Sequence, residues 1–150
     1  DVFIVYDDED ITWIKNVLLK RLEDIEKPYY KTILRDRDFL PGVDEAENVN
    51  DAISNSYCTL FIFSNNFLQN ELCLYTFHSA YKQMLKEKDI KIVIILKDKI
   101  EVDNLNDDLK AYFRQHTYLE VNDKIFWDKL VHALPRNSQH IPQKPILNCE

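Results

Sequence analysis

Two almost unbroken apolar runs, Cys58-Thr59-Leu60-Phe61-Ile62-Phe63 and Ile92-Val93-Ile94-Ile95-Leu96, constrain this chain more than any other feature. A strand with one wet face alternates apolar and polar residues, so a run without alternation belongs to a strand covered on both faces, as in a parallel sheet between layers of helices. The rest of the chain fits that frame. Val2-Phe3-Ile4-Val5-Tyr6 is a first strand, and Ile11, Ile14, Val17, Leu18, Leu22 and Ile25 follow at helical spacing until Pro28. Asp8 or Asp10 is the expected cap of this helix, where a carboxylate favours the N-terminus by about 0.3–1 kcal/mol. A second strand, Tyr30 to Leu34, leads by way of a turn to a short amphipathic helix bearing Ala46, Val49 and Ile53, with Asp44 as its expected cap.

After the third strand, Cys58 to Phe63, Ser64-Asn65-Asn66 offers caps for a long helical stretch to about Glu87. The fourth strand is Ile90 to Leu96. Leu105 to Phe113 reads as a helix and Thr117-Tyr118-Leu119 as a short fifth strand. Phe126, Trp127, Leu130 and Leu134 form the apolar side of a last helix that Pro135 stops. Strands and helices in alternation predict a flavodoxin-like three-layer α/β fold, because each crossover lays its helix on the sheet with one hand. The expected sheet has five parallel strands in the order 2-1-3-4-5 and helices on both faces. One domain spans residues 1–135, and residues 136–150, with Pro142 and Pro145, form a polar tail.

Several functions are closed to this sequence. Of its 150 residues one is glycine, Gly42, whereas dinucleotide and P-loop folds need several to bring backbone N–H groups against phosphates. A phosphoacceptor receiver domain shares the topology, and Asp7 and Asp8 would suit its metal-binding acids, but Phe63-Ser64 stands where an aspartate should close the third strand. His78, His116, His132 and His140 form no i, i+4 pair or zinc-type cluster, so neither a metal nor a cofactor is expected. A net charge of −7 with scattered basic residues argues against nucleic acid as a partner. Cys58, Cys73 and Cys149 are odd in number and lack CxxC spacing, which points to a reducing compartment. No apolar stretch is long enough to span a bilayer, so the fragment itself requires no membrane contact. A chain opening directly on a strand, with no methionine or leader, reads as a piece of a longer protein.

The lone glycine follows proline in Arg35-Asp36-Arg37-Asp38-Phe39-Leu40-Pro41-Gly42-Val43, off the carboxyl end of the second strand. Proline fixes φ and glycine accepts a positive φ, the recipe of a rigid type II turn. In open parallel sheets, working loops lie beyond the carboxyl ends of the strands. The turn is thus on the functional edge.

Three segments, taken together, carry a resemblance: Asp1-Val2-Phe3-Ile4-Val5-Tyr6, Arg37-Asp38-Phe39-Leu40-Pro41-Gly42, and Phe126-Trp127. They resemble, in order and spacing, the three boxes of the Toll/interleukin-receptor homology (TIR) domain. Asp10, Trp13, Ser64-Asn65-Asn66-Phe67 and Leu109-Lys110-Ala111-Tyr112-Phe113 add to the likeness, and Phe126 to Pro135 is similar to invertebrate Toll-type receptors. The resemblance implies a signalling domain on the cytoplasmic side of a membrane, in a single-pass receptor, that associates with other TIR domains and recruits TIR adaptors through the loop after strand 2. Arg37, Asp38, Phe39, Leu40, Pro41, Gly42 and Val43 are its expected partner-binding residues. Phe39, Leu40 and Val43 would form an apolar knob, with Arg37 and Asp38 giving orienting charge; the alternatives are that the Phe39 ring packs back onto its own domain and that Asp38 caps the turn internally. Phe126 and Trp127 are assigned to packing.

Some members of that family cleave NAD with a glutamate in the helix after the third strand, four residues beyond a tryptophan. Here Leu72 stands for the tryptophan and Thr76 for the glutamate, so no catalytic residue is expected. Glu71 lies five positions before Thr76, about 140° around a helix from it, and is a poor substitute. A soluble adaptor and a degenerate NAD hydrolase are the competing accounts.

Overall fold

The structure, a computed structural model, describes residues 2–23, 30–87, 89–101, 103 and 105–134. The expected roles of Asp1, Ile25, Pro28, Pro135, His140, Cys149 and the 136–150 tail lie outside the described residues. The continuous apolar runs become the middle of the sheet. Strands β1 (Val2–Val5), β2 (Thr32–Leu34), β3 (Cys58–Phe63), β4 (Ile92–Leu96) and β5 (Leu119–Glu120) pair in parallel in the order β2-β1-β3-β4-β5. In register, Phe3 lies between Ile33 and Thr59, and Leu60 faces Val93. This is the expected flavodoxin-like arrangement.

Two cores follow from the alternation of side chains across the strands. On one face Phe61 and Phe63 share a core with Val49 and Ile53 of α3 (Glu45–Asn55), Phe67 of α4 (Asn65–Gln69), Phe77 of α5 (Glu71–Lys86) and Tyr112 of α6 (Asp107–Gln115). The rings pack edge-on or stacked, as with Phe61 and Phe77 at 5.1 Å between centroids and Phe63 and Phe67 at 4.5 Å. On the other face Ile4, Leu60, Ile62 and Ile95 meet Ile14, Leu18 and Leu22 of helix α1 (residues 11–22), and Phe126 and Leu130 of α7 (Phe126–Ala133). Each fully buried side chain of this kind contributes about 1.5–3 kcal/mol.

Helix α1 covers residues 11–22 as an α-turn Ile11–Trp13, a π-helical segment Ile14–Leu18 and a second α-turn Leu19–Leu22. The N–H of Leu19 bonds five residues back to the Ile14 carbonyl. The sequence gives no sign of this widening, and Ile14, Leu18, Leu19 and Leu22 are all buried against the sheet. Its expected cap also differs. Asp7 caps the 3₁₀ turn Asp8–Asp10, accepting from the Glu9 N–H at 2.9 Å, whereas neither Asp10 nor Asp44 makes a side-chain cap bond. Asp10 is drawn inside instead, where it pairs with Lys97 Nζ at 3.2 Å and accepts from the Ser64 hydroxyl.

The stretch expected as one helix from Ser64 to Glu87 is two. Ser64 caps α4 through the Phe67 N–H at 3.1 Å, as expected. Asn70 then breaks the line and caps α5, accepting from the N–H groups of Leu72 and Cys73. Asn70 also donates to Asp7 at 2.8 Å, which fastens the start of α5 to the end of β1. Phe126 and Trp127 do pack: Phe126 is buried, the two rings are 4.9 Å apart, and the Arg21 guanidinium lies 5.5 Å from the Trp127 ring. That contact joins α7 to α1.

Candidate functional site

Beyond β2 the chain makes one helical turn, α2 (Arg35–Asp38), before reaching Pro41 and Gly42. Gly42 has φ +82°, the value a type II turn asks of its third position. An added Cβ would meet nothing within 4 Å, so the requirement for glycine is one of backbone conformation and not of space. Leu40 is 64% exposed, Pro41 is exposed and Val43 half-exposed.

The turn is clasped from both sides. Asn48 of α3 accepts from the Leu40 N–H at 3.4 Å and donates to the Leu40 carbonyl at 3.2 Å, gripping the backbone just before the proline. At its base Arg35 bonds to Glu45 at 3.1 Å and reaches Asp8 at 3.7 Å. Neither Asn48 nor Glu45 carries a sequence signal for this role; only the fold brings them to the loop.

Arg37, Asp38 and Phe39 have other occupations than display. Arg37 donates to the Thr32 carbonyl at 2.6 Å and to Thr32 Oγ1 at 3.1 Å, and pairs with Glu23. Asp38 accepts from the Leu34 N–H at 2.8 Å and from Arg37 Nε at 3.1 Å. β2 is an edge strand, and these two side chains cover groups on it that an incoming strand would otherwise find unpaired. Phe39 turns inward, its ring 5.8 Å from that of Phe3. The apolar knob is therefore smaller than expected: Leu40, Pro41 and Val43, with Phe39 as its root.

Beneath the loop lies a cavity of about 20 Å³ lined by Phe3, Tyr6, Arg35, Phe39, Asn70 and Thr76, among others. That volume suits about one water molecule. None of the lining residues is a carboxylate. Thr76 is 2% exposed and donates to the Leu72 carbonyl at 2.7 Å, while Glu71 points to solvent. Tyr6 on its rim bonds to Asp36 at 3.3 Å, and burial, then the Asp36 charge, raises its pKa above the ordinary phenol range. Among the described residues no group of three or more His, Cys, Asp or Glu is placed to hold a metal ion, and no helix is long and apolar enough to cross a membrane.

The family model for the TIR domain matches residues 1–145. The chain is 34% identical over 136 residues, 90% of its length, to Protein toll of Drosophila melanogaster. It is 30% identical over 142 residues, 89% of its length, to Toll-like receptor 2 of Cricetulus griseus. It spans 12% and 18% of the lengths of those two proteins. Among solved structures, the TIR domain of the Toll-related receptor TRR-2 from Hydra magnipapillata superposes with a TM-score of 0.68 at 32% identity, covering 87% of this chain and 94% of that one. The TIR domains of the activated Roq1 resistosome share the fold alone, with a TM-score of 0.55 at 21% identity over 77% of this chain and 69% of that one.

Proposed function

This chain belongs to the TIR domain family, and we propose that it is the signalling module of a Toll-type receptor, on the cytoplasmic side of a membrane, which pairs with other TIR domains and recruits TIR adaptors through the turn after β2. The observation that carries this reading is the exposed, clasped Leu40-Pro41-Gly42-Val43 turn. A docking element held rigid before contact loses little entropy on binding. An exposed leucine beside a fixed proline offers a small apolar surface that a partner can remove from water. Dimerisation of the parent receptor would raise the local concentration of two such domains and populate a contact that is weak between free copies at physiological salt. The receptor relatives favour this parent over a soluble adaptor.

A noncatalytic role is part of the proposal. The cavity where an NAD-cleaving relative would act has no carboxylate to support positive charge developing on a ribose, and its threonine is tied to its own helix. The test joins both parts. Leu40→Glu and Pro41→His, carried into the full receptor, are expected to abolish signalling while the circular dichroism of the purified chain stays that of the native domain. Nicotinamide release from NAD is expected to match a buffer control. Normal signalling by both variants would overturn the interface, and turnover lost in Glu71→Gln would overturn the noncatalytic role.

A further inference from the structure

Helix α1 carries a basic side that its own domain leaves unused. An open groove of about 640 Å³ runs between α1 and the end of β2, lined by Tyr6, Lys15, Leu19, Lys20, Glu23, Leu34, Asp36 and Arg37; Glu23 is paired with Arg37 and Asp36 is bonded to Tyr6, which leaves Lys15 and Lys20 as its uncommitted charges. Lys15 and Lys20 are five residues apart, which in an α-helix would set them about 140° from one another. The π-helical turn between them, closed by a bond five residues back, brings both to the groove. Among the described residues neither lysine is in an ion pair.

Helix α3, on the opposite face of the sheet, holds no lysine or arginine. At about 100° per residue, Asp44 and Asp51 fall within about 60° of Asn48, the residue that reaches to the loop after β2, whereas Ser54, bonded to Gln83 of α5, lies about 120° from it. Asp44 and Asp51 are exposed, without ion pairs among the described residues, and on the side toward the β2 edge. The edge strand is thus flanked by cations on one sheet face and anions on the other.

We propose that the groove on α1 receives the acidic side of α3 from a second copy of this chain, in a two-fold dimer across the β2 edges; the inference rests on the pairing function proposed above. A two-fold axis parallel to the strands exchanges the faces of the sheet, so each copy's α1 meets the other's α3 and both contacts form together. The same axis keeps the strand direction, so both Pro41-Gly42 turns emerge side by side from one end. Arg37 and Asp38, by covering β2, leave the helices and not the strands to make the contact.

Sedimentation velocity of the 150-residue chain tests this. A monomer–dimer equilibrium is expected at about 0.01 M salt, with its dissociation constant raised at least about tenfold at 1 M, where screening is strong. The pair Lys15→Glu with Lys20→Glu should prevent the dimer, as should Asp44→Lys with Asp51→Lys, because each juxtaposes like charges. Mixing the two double variants should restore a dimer of one copy of each. Absence of any wild-type dimer at low salt, single sets without effect, failure of the mixture to pair, or growth beyond two copies would each overturn the proposal. Failure here combined with loss of receptor signalling in Leu40→Glu would leave the role of the turn standing; a charge-rescued dimer with normal signalling in Leu40→Glu would do the reverse.

Discussion

Replacing Asp38 with alanine separates the two jobs that the turn region combines. Its carboxylate accepts from the Leu34 N–H at 2.8 Å and from Arg37 Nε at 3.1 Å, and Arg37 in turn donates to the Thr32 carbonyl at 2.6 Å. Hydrogen bonds to charged groups contribute about 1.5–3 kcal/mol when sheltered. Here the two side chains are 44% and 36% exposed, so solvent screening discounts the figure. The expected cost of Asp38→Ala is about 1–2 kcal/mol. For a domain of this size that lowers the Tm by roughly 2–8 °C. Arg37→Met should cost a similar amount, and the double variant less than the sum, because removal of one partner already frees the other. The decisive assay is amide exchange. The Leu34 N–H should lose protection in Asp38→Ala, while the amides of Leu60 and Ile62 in the middle of the sheet change only as far as global stability does. If Asp38→Ala left the Tm and the exchange of Leu34 as in the wild type, and disrupted association alone, the edge-covering role would be wrong and Asp38 would belong to the docking surface.

Two further outcomes test the loop and the cores. Gly42→Ala is expected to cost about 1 kcal/mol in urea unfolding, since φ +82° strains any residue with a Cβ while the surrounding space is open; a neutral result would mean that the turn relaxes at no cost and is not rigid. Burial lifts the thiols of Cys58 and Cys73 from 9.0 to about 12, so both should resist a disulfide reagent at neutral pH until the chain unfolds. Unfolded thiols ionise near 9 while the folded ones stay neutral, so stability is complete below that pH and declines between 9.0 and about 12; urea midpoints that stayed flat across this window would refute the burial argument.

The sheet was legible because its signal is local. Five-residue apolar runs such as Ile92–Leu96 announce a strand covered on both faces, and the helical spacing between runs allows few topologies. The capping pattern was less so, since Asp7, Asp8 and Asp10 are chemically alike and only the third dimension sends one to a cap, one to Arg35 at the surface and one to Lys97. The π-helical turn in α1 was not legible at all, because Ile14, Leu18, Leu19 and Leu22 fit the apolar face of an ordinary α-helix.

The turn region shows why motif and mechanism are not the same thing. Arg37-Asp38-Phe39-Leu40-Pro41-Gly42 is a single signature in sequence, yet the fold divides it into a half that finishes the sheet and a half that faces outward. Arg37 and Asp38 take up groups on the edge strand, and Phe39 roots the loop on Phe3. What remains on the outside, for the partner proposed above, is Leu40, Pro41, Gly42 and Val43. The two halves depend on each other, since the outer turn has a fixed direction only while the inner pairs hold α2 and Asn48 grips Leu40. A substitution in either half can therefore abolish the proposed pairing, and for the side chains the unfolding free energy distinguishes them: loss of function with loss of about 1–2 kcal/mol belongs to the inner half, and loss of function at unchanged stability belongs to Leu40, Pro41 and Val43, Gly42 being the one outer position whose backbone conformation itself carries stability.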